Sequence, residues 1–208
     1  MAHVQAIVEA GGVPEGWTPL LAAVEAGFAR KVRTLLQGGA SAEQASTGGE
    51  PPPSMPRWAW TGITPLLVAA NRGHRSVVEL LLDAQATVDR RHPLSGATPA
   101  WMAASKGHLP TLRLLAGRGA DVNAVHRDGG FSMAYLAAQE NRLDMVMFLS
   151  DKGADLALQN DHGASPAFMA AEFGHVDVIR FLALKLSPAV LGAADSDGTS
   201  PVHIAAGT

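Results

Sequence analysis

One pattern recurs along this 208-residue chain at a nearly fixed spacing, and it limits the fold more than composition does. GWTPLLAAVEAGF opens at position 16, GITPLLVAANRGH at 62, GATPAWMAASKGH at 96, GGFSMAYLAAQENR at 129, GASPAFMAAEFGH at 163 and GTSPVHIAA at 198. The Thr or Ser of each stands at 18, 64, 98, 132, 165 and 200, so successive offsets are 46, 34, 34, 33 and 35. A period of 33 or 34 residues describes a small unit that cannot bury its apolar face alone and has to stack on copies of itself.

The landmarks inside each unit have physical readings. Thr98 or its counterpart caps a helix by accepting a bond from a backbone N–H, and Pro99 fills the first helical position, where a missing N–H costs nothing. Ala pairs at 69–70, 103–104, 137–138 and 170–171 keep this first helix thin, so neighbours approach closely. Gly27, Gly73, Gly107 and Gly174 end it, with Asn141 in the fourth unit, because a left-handed residue is cheapest as Gly and tolerable as Asn. A second apolar-periodic run follows, VVELLL at 77–82, TLRLL at 111–115, MVMFL at 145–149 and VIRFL at 178–182. Gly39-Ala40, Gly119-Ala120 and Gly153-Ala154 terminate it, and HRDGG or NDHG leads into the next unit. Gln85 and Leu186 stand where a terminating Gly is expected. Pro110 falls within the first turn of its helix and is tolerated there.

With its Thr-Pro openings, Gly-His pairs and the GADVN at 119–123, the chain resembles an ankyrin repeat protein. The resemblance implies an all-α fold, an ankyrin-type α-solenoid of stacked helix-turn-helix repeats joined by β-turn fingers. Tetratricopeptide repeats share the period but lack this opening and ending. The expected organisation is a partial N-terminal repeat at 1–15, repeats at 16–41, 62–95, 96–129, 130–162 and 163–197, a Pro/Gly/Ser-rich insertion at 42–61, and a partial C-terminal repeat at 198–208. Val4, Ile7 and Val8 at one end and Val202 and Ile204 at the other are apolar where terminal repeats normally turn a polar face outward.

His74, His108 and His175 share one slot, filled by Phe28 and Arg142 elsewhere. A catalytic residue is not needed three times. A shared metal is equally unsuited, because stacked helices lie about 8–10 Å apart whereas zinc holds imidazole nitrogens at about 2.0 Å. The slot reads as a ring bonded to loop backbone. His203 matches the family's opening histidine, where the other repeats carry Leu21, Leu67, Trp101, Tyr135 and Phe168. No phosphate loop, HExxH, GxSxG or dinucleotide fingerprint occurs. We therefore expect no enzyme, no cofactor, no metal and no small-molecule substrate.

A net charge of -3 supplies no field for nucleic acid, and none is expected as a partner. The lack of Cys excludes disulfides and fits a reducing compartment, cytoplasm or nucleus. No secretory leader and no run of eighteen apolar residues occurs, so membrane insertion is not expected.

The resemblance places binding on a concave face made of turn tips and the exposed side of the first helix, and implies a protein or peptide partner. Trp17, Ile63, Phe131 and Phe173 map there as large apolar residues suited to anchor a partner or to pack on adjacent turns. Arg72, Arg90, Arg91, Lys106 and Arg127 map to turns and first helices as a basic stripe for an acidic or phosphorylated segment. The insertion, with PPPSMP at 51–56 and Trp58 and Trp60 behind it, either docks a partner or folds back on the array. Leu115 and Asn123 have the spacing of asparaginyl-hydroxylation sites found in some ankyrin repeats. The reading is a non-catalytic scaffold for protein–protein interaction; the alternative is the recruitment or regulatory ankyrin region of a larger enzyme or channel.

Overall fold

The computed structural model describes residues 13, 15–49, 51 and 60–201. Trp58, most of PPPSMP, His203 and the terminal apolar residues Val4, Ile7, Val8, Val202 and Ile204 lie outside them. Among the described residues there are eleven helices and one isolated β-bridge, between Val125 and Ser132. They fall into two compact units, residues 1–120 and 121–208. The first unit holds α1 (Pro19–Glu25), α2 (Ala29–Gln37), α3 (Pro65–Arg72), α4 (Arg75–Asp83), α5 (Pro99–Ser105) and α6 (Leu109–Gly117). The second holds α7 (Met133–Gln139), α8 (Leu143–Asp151), α9 (Pro166–Glu172), α10 (Val176–Lys185) and α11 (Pro188–Leu191).

In the first unit α1 packs on α3 and α3 on α5, while α2 packs on α4 and α4 on α6. Each inner helix also packs on the outer helix that follows it, so the unit is a stack of three pairs. The second unit repeats the arrangement with α7 on α9 and α8 on α10. Inner helices are seven or eight residues long and buried along most of their length. The Ala residues at their centres are almost fully covered, as close approach of thin helices requires. Outer helices are amphipathic: α4 buries Val77, Val78 and Leu81, and α8 buries Met145, Val146, Phe148 and Leu149.

Thr18, Thr98, Ser132 and Ser165 cap their helices by accepting from the N–H three residues on, at 3.0–3.2 Å. Thr64 has the same extended backbone, but its buried hydroxyl makes no cap bond and has no hydrogen-bond partner. Nothing in the structure explains that difference. Asn141 and Gln85 are the two non-glycine residues with positive φ among those described, at 53° and 65°. Leu186 is not a terminator: its backbone is extended, and Ser187 accepts from Val190 N at 3.4 Å to start α11. Without a left-handed stop, α10 passes into a second capped turn, α11, ahead of the finger at Asp195.

The fingers share one lock. His92, His126, Asn160 and Asp195 each donate their N–H to a carbonyl four or five residues on, at 2.8–3.1 Å. Each also turns a side-chain acceptor on the backbone inside the finger: His92 Nδ1 takes Ser95 N, and Asn160 Oδ1 takes both His162 N and Ala164 N. In the first unit the insertion sits inside such a lock. Ser46 and Ile63 exchange the closing bond at 3.0 Å where His92 and Ala97 do so in the next finger. The segment 47–62 thus replaces the four residues 93–96.

Candidate functional site

The end of each inner helix and the start of the next outer helix form a junction that recurs in both units. His74 Nε2 lies 3.2 Å from the Glu25 carbonyl and His108 Nε2 3.1 Å from the Asn71 carbonyl. His175 Nε2 lies 2.9 Å from the Gln139 carbonyl. Each ring N–H donates to the last or next-to-last residue of the preceding inner helix, satisfying a carbonyl that helix geometry leaves without an internal partner. The loop backbone expected from sequence is therefore that of the neighbouring pair. The imidazoles of His74 and His108 also pack on the helix-ending glycine of the preceding repeat, Gly27 and Gly73. A Cβ on Gly73, already at φ 69°, would come within 2.6 Å of the His108 ring.

In the first unit the structure corrects the expected contact surface. Trp17 and Ile63 do not face solvent: they are 8% and 0% exposed. Trp60, also 0% exposed, lies with its ring centroid 4.3 Å from that of Trp17 and donates from Nε1 to the Gly48 carbonyl at 3.1 Å. Ser46 Oγ donates to the Trp60 carbonyl, and Thr47 N donates to Gly16 O at 3.1 Å. The near end of the insertion thus lies on the turn before α1, because an indole has more apolar surface to bury than a finger offers to solvent.

Arg72 is likewise engaged. Its guanidinium donates from Nε to Glu25 Oε1 at 2.8 Å and from a terminal nitrogen to the same oxygen. Glu25 is 1% exposed and Arg72 18%, so the positive charge expected for a partner is spent inside the unit. A buried carboxylate holds its charge only when paired in this way. Lys106 remains exposed at the end of α5, and Arg90 and Arg91 are exposed at the second finger. Arg91 donates to the Gly96 carbonyl at 3.2 Å. Beside them Leu94 is 54% exposed.

In the second unit the same junction has different chemistry. Phe173, one residue past α9, is 51% exposed. Its ring is stacked on His175, with centroids 6.0 Å apart and planes at 17°. Glu172 before it and Glu140 at the matching position after α7 are exposed. Arg142 reaches Glu140 at 3.7 Å. Phe131, expected as an anchor, is half-buried and lies 5.2 Å from the Tyr135 ring, in a cluster with Phe168, Met169 and Ala164. Burial, and then the Glu172 carboxylate, push the Tyr135 phenol above its ordinary pKa, while its hydrogen bond with Asn160 acts the other way. Arg127 is exposed in the finger.

Asn123 is exposed and ties two turns together: Oδ1 accepts from Asp155 N at 2.8 Å and Nδ2 donates to Gly153 O at 3.4 Å. Among the described residues, no group of three or more His, Asp and Glu could hold a metal ion, and no helix is long and apolar enough to cross a membrane. Sequence reasoning maps Glu140 and Glu172 to the same helix ends as Phe173 but reads Glu172 as a solvated or capping carboxylate and assigns neither a role in binding. Their register, seven or eight residues after Ser132 and Ser165, was the signal that could have assigned one.

Comparison with protein families agrees with this architecture. A model described as ankyrin repeats (3 copies) matches residues 2–92 and 47–126, and one described as ankyrin repeats (many copies) matches 134–183. Comparison with curated proteins finds no match. Ankyrin repeats generally serve as protein–protein interaction modules. The helix pairs, the locked fingers and the family matches over most of the chain together place it in the ankyrin repeat family.

Proposed function

We propose that the chain is a non-catalytic scaffold that holds a protein or peptide partner on its fingers and the ends of its inner helices. One observation carries this reading: the position just past the inner helix is exposed as Lys106 in the first unit and as Phe173 in the second, on helix pairs whose junctions are fastened by histidine bonds. A half-exposed aromatic on a rigid support resembles the anchors that dominate interfaces, and a preformed array has little to order on binding. Trp17, Ile63 and Trp60 are buried within the first unit, and Phe131 is half-buried within the second.

The test is quantitative capture from a lysate with the native chain and with a Lys106→Glu, Phe173→Ala variant whose far-UV spectrum matches it. Proteins enriched on the native chain and lost from the variant are expected. An enriched set identical for both chains would reject this surface.

A further inference from the structure

Resting on that reading, we propose that the ends of α7 and α9 recognise a cationic segment of the partner, with a Lys or Arg side chain over the Phe173 ring and the carboxylates of Glu172 and Glu140 beside it. The bond from His175 Nε2 to the Gln139 carbonyl, 2.9 Å, fixes the two helix ends against each other. It brings Gln139-Glu140 and Glu172-Phe173 to one place. The His175 imidazole lies nearly parallel to the Phe173 ring at a centroid distance of 6.0 Å, and half of Phe173 remains exposed. An aromatic face attracts a cation through its quadrupole, most strongly an Arg guanidinium, which also stacks in the plane.

Charge selects the same partner. Residues 121–208 carry eleven Asp and Glu against five Lys and Arg, a net of -6, whereas residues 1–120 carry eight against eleven, a net of +3. Among the described residues no ion pair engages Glu172, and Glu140 meets only the 3.7 Å approach of Arg142. An acidic partner would be repelled here. A neutral apolar segment would leave the Glu172 carboxylate desolvated without a counter-charge. A Lys- or Arg-bearing segment satisfies both the ring and the carboxylates.

The test uses the full chain and two labelled peptides of about twelve residues, one with Arg spaced by Gly and Ser and one with each Arg replaced by neutral citrulline, followed by fluorescence anisotropy at about 50 and 300 mM salt. The Arg peptide is expected to bind about tenfold more tightly than its twin, with Phe173→Ala and Glu172→Gln each weakening it about fivefold and Phe173→Leu falling between. Asp151→Asn, at the end of α8, removes the same charge elsewhere and should leave binding within about twofold. Equal loss on Asp151→Asn would mean diffuse attraction and would overturn the site, as would full binding by Phe173→Ala or no preference for Arg. Sedimentation showing self-association abolished by Glu172→Gln would make a second copy of the chain the occupant and overturn the proposal. If the peptides fail while Phe173→Ala still loses lysate partners, the scaffold function stands and only the cationic partner falls.

Discussion

The two units use one junction for two purposes. In residues 1–120 the ends of α1 and α3 are closed on each other by charge, Arg72 reaching back to a buried Glu25, the aromatic surface of Trp17 and Trp60 is folded inward, and Lys106 alone of the expected anchors at these ends stays exposed. In residues 121–208 the equivalent positions leave Glu140, Glu172 and Phe173 in solvent, beside the helix ends that the His175 bond ties. The difference teaches that a repeat register assigns a position, not a role. Whether a residue there supports the frame or meets a partner depends on what the preceding repeat offers it. Arg72 finds a carboxylate one repeat earlier; Phe173 finds an imidazole two residues later and stays half exposed.

Nature has also labelled the units separately. All four Trp residues lie in 1–120 and the one Tyr in 121–208, so each can be followed by its own chromophore. The largest effect is expected for Trp60→Ala. Emptying that fully buried site should lower stability by about 4 kcal/mol in urea unfolding followed by Trp fluorescence. A loss under about 1 kcal/mol would mean that the insertion only rests on the first unit.

Arg72→Ala should cost about 3 kcal/mol, because it strands a buried carboxylate. Glu25→Ala should cost about half as much, since the longer Arg72 side chain can extend to water. Equal costs would break the distinction between a buried partner and a reachable one. So would Arg72→Ala shifting the transition reported by Tyr135 as much as that reported by Trp.

Smaller effects sharpen the contrast. Gln85→Gly should stabilise by about 0.5–1 kcal/mol, because a Gln held at φ 65° is strained. Asn141→Gly in the second unit should gain less, since Asn tolerates this region. Melting curves that rank the two the other way would overturn this account. The smallest effect is read by titrating the tyrosine absorbance. The folded phenol is raised, so its stabilisation is complete below the unfolded pKa of about 10 and is lost as pH rises through the folded value. Glu172→Gln should move the Tyr135 titration downward. No movement would remove that carboxylate from the ring cluster.

The helix pairs were legible because their signals are local: a cap, a proline, a left-handed stop and an apolar period each act within a few residues. Positive φ at Gln85 and Asn141 followed from position alone. The side-chain environments were not legible in the same way. Trp17 and Ile63 occupy turn positions where sequence leaves solvent exposure and packing both open, and the structure buries both, with Trp60 of the insertion against Trp17. Arg72 maps to the same face as Lys106, and only the identity of residue 25, in the preceding repeat, decides that one is paired and the other exposed. Leu186 misled because losing a terminator does not force a new one; a serine one residue later restarts the helix.

The histidine bonds also set an order of events on the ribosome. The Glu25 carbonyl waits for His74, 49 residues later, whereas Asn71 waits 37 for His108 and Gln139 waits 36 for His175. At synthesis rates of about 5–20 residues per second, the first wait lasts about 2–10 s. Because the insertion lies inside that interval, the nascent first pair waits longer for its fastener than the second waits for His108 or the α7 pair for His175.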